Sequence, residues 1–66
     1  MTYVRGSNLK VGDIMVMAGR RDMIVSLRPY RGPLARYFPE GASTAEFSMF
    51  GGGMTINHGE YYEVLP

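Results

Sequence analysis

Helical periodicity is almost absent from this chain, and its good helix formers never run long enough to sustain a helix. Apolar residues recur instead with period two, in short stretches cut by glycine, proline or Asn/Asp clusters. Side chains on a β-strand alternate between two faces, so this pattern predicts strands. The first covers residues 13–18, with Ile14, Val16 and Ala18 on one face and Met15 and Met17 on the other. The second covers residues 23–28, where Met23, Val25 and Leu27 alternate with Ile24, Ser26 and Arg28. Gly19-Arg20-Arg21-Asp22 between them reads as a hairpin loop, since glycine adopts positive φ freely. Residues 44–50 show the clearest alternation, with Ala45, Phe47 and Met49 inward and Thr44, Glu46 and Ser48 outward. Gly51-Gly52-Gly53 must then break or bend the chain, because three glycines are entropically costly inside any regular element. Residues 54–57, burying Met54 and Ile56, form a fourth strand. Residues 60–65, with Tyr62 and Val64 on one face, form a fifth, after a turn at Asn57-His58-Gly59.

The long connection, residues 29–43, holds Pro29, Pro33 and Pro39, and proline cannot donate to a sheet ladder. Residues 32–38 suit one helical turn with Pro33 at its first position. Five short strands joined mostly by tight turns predict an all-β fold, a five-stranded small barrel, whose closure removes exposed strand edges. Leu9-Lys10-Val11-Gly12-Asp13-Ile14-Met15-Val16 resembles the leucine-x-x-glycine-aspartate opening of SH3-like small barrels, including translation- and chromatin-associated modules. In those families the glycine and aspartate shape the turn into the first strand. The aromatic cage of methyl-lysine readers and the basic loop of ribosomal members are not recognisable in this chain. The resemblance therefore implies the fold and transfers no function. A second likeness is more general. A very short chain with Val25-Ser26-Leu27-Arg28-Pro29-Tyr30 ahead of a proline-rich loop is similar to small uncharacterised bacteriophage proteins, which implies an accessory or inhibitory protein acting on a host complex in the host cytoplasm.

With 66 residues, 45% of them apolar, residues 1–66 are expected to form a single domain. A chain this short buries only about 60% of the surface its unfolded form exposes. There is no cysteine, which removes disulfides, thiolate metal sites and cysteine nucleophiles together. With His58 the only histidine, zinc would depend on carboxylate ligands, although it prefers nitrogen and sulfur. The longest apolar run, residues 14–18, is far short of the roughly 20 needed to cross a bilayer. Met-Thr-Tyr-Val-Arg lacks the apolar segment of a secretory signal. These features predict a cytoplasmic protein without membrane partner or cofactor.

Catalytic constellations are missing from the pattern. A nucleophilic triad needs a base beside a hydroxyl, but His58, the only imidazole, sits in a turn and reads as a solvated loop residue, and Glu60 and Glu63 point to opposite faces of a strand. Asp13 and Asp22 read as turn formers or as partners of Arg20 or Arg21. The triple glycine lacks the lysine, the Ser/Thr and the helix of a phosphate loop. No catalytic, cofactor or metal residue is assigned, and non-enzymatic binding is the expectation.

Charge and aromatics give that expectation a surface. Residues 1–37 carry seven basic side chains against two acidic ones, a balance of +5, and residues 38–66 carry four glutamates, a balance of −4. From Arg28 to Phe38, three arginines alternate with three aromatics. The candidate partner-binding residues are Arg20, Arg21, Arg28, Tyr30, Arg31, Arg36 and Tyr37. Tyrosine and arginine are enriched at protein interfaces, and six methionines supply adaptable apolar surface, so a protein partner is favoured. The same residues suit phosphates and unpaired bases, which makes nucleic acid the alternative. Met15 and Met17, opposite Ile14 and Val16, are expected to lack a core of their own. Either residues 29–43 cover them or a second copy does, which gives a homo-oligomer.

Overall fold

In the computed structural model, which describes residues 2–66, six strands account for the regular structure. They are β1 (Thr2–Arg5), β2 (Ile14–Met17), β3 (Arg20–Pro29), β4 (Ala42–Phe47), β5 (Met54–Asn57) and β6 (Tyr61–Val64). Short 3₁₀ turns lie at Gly6–Asn8 and at Ala35–Tyr37, the latter two residues beyond Pro33 in the long connection. The strands form one antiparallel sheet in the order β1-β6-β2-β3-β4-β5. The protein is all-β, with six strands where the sequence predicts five. The added strand is β1, where Thr2-Tyr3-Val4-Arg5 has a single aliphatic residue and so no apolar face to alternate; it becomes a strand by pairing with β6, Thr2 opposite Val64 and Arg5 opposite Tyr61. Strands β1 and β5 are the sheet edges and, among the described residues, no pairing joins them, so the sheet is open and the expected closure is absent.

The β2–β3 connection is shorter than the sequence predicts. Ala18 (φ 49°) and Gly19 (φ 77°) form a two-residue turn between the paired residues Met17 and Arg20. Two successive positive φ angles give the twist that matches a hairpin, as in a type I′ turn. Arg20, Arg21 and Asp22, expected in the loop, therefore open β3 instead.

That register decides which face is core. Met15 lies opposite both Asp22 and Val64 and is fully buried, with Met17 half-buried against the same cluster. The expectation that Met15 and Met17 lack a core is corrected. Their face is the core face, and Ile14 and Val16 are the pair left half-buried on the other side. Neither the long connection nor a second copy is needed to cover Met15. Leu9, Ile24, Ala45, Phe47, Ile56 and Val64 complete the buried cluster.

β3 belongs to both halves of the sheet, pairing with β2 through Arg20–Met23 and with β4 from Ile24 onward. A bulge between Ile24 and Ser26 resets its alternation. Asp22 and Ile24 point inward before it, Met23 and Val25 are exposed, and Leu27 rejoins the core beyond it. A bulge adds one residue to one strand, which is what a parity change requires.

Candidate functional site

Nothing in the structure gathers the seven predicted contact residues into one surface. Arg28 and Arg20 stand at opposite ends of β3, eight residues apart, a separation of roughly 25 Å at strand rise. The long connection is pinned by Tyr30. Its hydroxyl accepts the Leu34 N–H at 3.3 Å, and its ring meets Phe38 edge-on at 5.8 Å and lies against Gly32. Tyr30 is thus a half-buried anchor of the loop. Arg28 pairs with Glu46 across β3 and β4 at 3.5 Å. The Arg36 guanidinium sits 5.1 Å from the Tyr37 ring centre and donates to its hydroxyl at 3.2 Å. Arg31 is exposed and has no side-chain partner among the described residues.

The other end of β3 carries a concavity. A groove of about 900 Å³ opens between the β2–β3 hairpin and the β4–β5 loop, lined chiefly by Met17, Arg20, Arg21, Met49, Phe50 and Met54. That volume is within the range of binding sites, roughly 300–1,000 Å³. Met49 is 79% exposed and Phe50 54%. The side chains of Arg20 and Arg21 make no hydrogen bond or ion pair among the described residues.

One buried carboxylate builds the groove wall. Asp22 is buried, and its two oxygens accept the Met23 N–H (2.9 Å), the Ser48 hydroxyl (2.6 Å), the Met49 N–H (3.1 Å) and the Phe50 N–H (2.7 Å). Buried ions persist when hydrogen-bonded in this way. The bonds from Ser48 and from the Phe50, Met49 and Met23 amides hold the carboxyl below the usual aspartate range, against the opposing effect of burial. They also explain why β4 ends at Phe47 and not at Phe50, as the alternation suggests. The amides of Met49 and Phe50 are spent on Asp22, which turns Met49 outward over the groove. The Phe50 ring packs edge-on against Phe47 at 6.2 Å.

Asp22, Met49 and Phe50 are the residues that sequence reasoning misses here. A legible signal exists for the first. An aspartate on the inward face of an apolar strand must find donors, and the glycine-rich loop after Ser48 has amides to give. Asp13 behaves as predicted for a turn former, accepting the Lys10 N–H at 3.0 Å.

A hydroxyl does lie beside the imidazole after all. Ser43 Oγ and His58 Nε2 are 2.6 Å apart, partly buried, and His58 N–H donates to the Gly41 carbonyl at 3.0 Å. Together these contacts tie the β5–β6 turn to β4. The His58 ring packs against Gly41, and among the described residues no carboxylate bonds Nδ1 to orient it as a base. The pair sits at the Pro29 end of the sheet, where Ser43 lies opposite Pro29, away from the groove.

Among the described residues no three His, Asp or Glu side chains come together as metal ligands, and no helix is long and apolar enough to cross a membrane. No protein-family model, curated protein or solved structure matches this chain.

Proposed function

We propose that the protein is a non-enzymatic binding module that receives a protein partner in the groove between the β2–β3 hairpin and the β4–β5 loop. One observation carries this reading: Met17, Met49, Phe50 and Met54 share an open concavity with Arg20 and Arg21, which have no partner of their own. Arginine and aromatic side chains supply most interface hot spots, and thioethers adapt to the shapes they meet. The test is photo-crosslinking in cells, with a photoreactive amino acid placed at Met49, Tyr37 or Tyr61. Discrete protein adducts from position 49 alone support the groove; adducts only from position 37 transfer the site to the long connection.

The second reading is a single-stranded nucleic-acid contact through Arg31, Arg36 and Tyr37. The exposed Arg36–Tyr37 stack favours it, since an arginine-backed ring is a platform for a base. A chain of phosphate contacts loses affinity steeply with salt, whereas a groove with apolar walls and two arginines loses much less, so the slope of a salt titration separates the two.

We also read the open sheet as a relative of the SH3-like small barrels. The opening over Leu9–Val16, the position of β6 between β1 and β2, and the sharing of β3 by both halves support that relation. A phage-type accessory role remains a proposal resting on the overall likeness of the chain.

A further inference from the structure

We infer that the groove's occupant is a short apolar segment of a partner protein flanked by aspartate or glutamate side chains; the inference rests on the protein-binding reading above. Charge complementarity carries it. Arg5 and Arg28 are already matched with Glu40 and Glu46, whereas Arg20 and Arg21 at the groove have no carboxylate. The one acid lining the groove, Asp22, has both oxygens committed to Ser48 and to backbone amides. The groove lining thus includes two arginines whose guanidinium groups have free donors, Arg20 on the inward face of β3 and Arg21 beside it on the opposite face, and no free carboxylate acceptor. A carboxylate takes such donors in charge-assisted, bidentate geometry, and a basic segment is repelled.

The apolar part of the site selects the rest of the ligand. Three methionines and Phe50 form its walls, so bound apolar side chains are accommodated without strict shape selection. Met49 at 79% exposure and Phe50 at 54% leave those walls open to solvent. An enclosed small-molecule pocket buries its own lining; this groove requires an occupant that supplies the cover. Nucleic acid matches the arginines but not the walls, where Phe50 is the one ring available for stacking.

The test selects a displayed library of random peptides on the immobilised full chain. Enriched sequences are then synthesised with a fluorescent label and titrated by polarisation, beside labelled oligothymidylate. Enriched peptides are expected to combine apolar residues with Asp or Glu. Arg20→Ala and Arg21→Ala are each expected to weaken them about tenfold, and Met49→Ser by a similar factor, with thermal midpoints unchanged. Met49 is suited to this because its side chain is almost wholly exposed, so its loss leaves the fold intact. Basic or uncharged winners that still depend on Met49 overturn the acidic partner and leave the groove standing. Winners indifferent to all three substitutions, or no enrichment at all, overturn both readings. Oligothymidylate binding that is lost in Arg20→Ala overturns the inference in favour of nucleic acid.

Discussion

Asp22 shows how much of a small fold can hang on one side chain. Met15, paired opposite it, packs into the core with Val64, and the Asp22 carboxylate takes the amides of Met49 and Phe50 that no strand partner receives. Asparagine at this position keeps one acceptor oxygen and turns an N–H₂ donor toward amides that also donate. Asp22→Asn is therefore expected to lower the thermal midpoint at neutral pH and to raise hydrogen exchange in residues 48–53. An unchanged midpoint would show that the loop does not need the carboxylate. The pH dependence has a definite sign. The folded value lies below the unfolded one, about 3.9 for an ordinary aspartate, so the folded state releases this proton more readily. The stabilisation is complete above the unfolded value and disappears as pH falls through the folded one. Acid titration of the midpoint checks this: the wild-type protein loses stability below about pH 4, and that part of the loss is absent in Asp22→Asn.

At the scale of the element, the β2–β3 hairpin carries both the register and a small defect. Ala18 sits at φ 49°, where a Cβ crowds the following carbonyl at a penalty of roughly 1–2 kcal/mol, and asparagine tolerates that region better. Ala18→Asn is expected to stabilise the protein by about 0.5–1 kcal/mol, read as a higher urea midpoint with an unchanged slope. A loss of stability would mean that the turn is held by something other than its backbone preference. The same turn marks where the sequence stops being legible. Strands β4, β5 and β6 can be read from alternation because each has one apolar face and one polar face. Residues 14–18 are apolar on both faces, so alternation shows a strand there without showing which side is buried. Only the Ala18–Gly19 turn, by placing Met15 opposite Asp22, resolves it. β3 is harder still, since the bulge after Ile24 moves Leu27 to the face that strict period two assigns to Ile24 and Ser26. The candidate site suffered from the same limit. Its arginines are visible in sequence, but their grouping depends on the length of β3, which separates Arg20 from Arg28 and sends each to a different end.

For the molecule as a whole, the question is how a chain of 66 residues built on an open sheet keeps one core. Stability for this length is roughly 3–10 kcal/mol at the usual value per residue, so single core losses are large fractions of the total. Met15→Ala removes a fully buried side chain and is expected to cost about 2–5 kcal/mol in urea denaturation, with no change in oligomeric state as the first effect. A change of assembly at unaltered stability would restore Met15 to a subunit interface. The edges present a second demand, because β1 and β5 are not paired. They are nonetheless brought together just beyond β1, where Gly6 donates to the Glu60 carbonyl at 2.7 Å and Ser7 to the His58 carbonyl at 3.3 Å. Gly6 is buried against the Asn57 carbonyl at the end of β5, and a Cβ on it would run into that backbone oxygen. Backbone cannot give way as a side-chain tip can, so Gly6→Ala must push the 3₁₀ turn off β5. A cost of about 1–3 kcal/mol is expected, typical of forced overpacking. Gly51→Ala is the matched control, since a Cβ there meets nothing within 4 Å. Native-state hydrogen exchange on the two variants locates the effect. In Gly6→Ala, protection is expected to fall first in β1 and in the β5–β6 turn while β2, β3 and β4 keep theirs. If Gly6→Ala is no more costly than Gly51→Ala, the two edges of the open sheet are held by the shared core alone, and the 3₁₀ turn between them adds nothing.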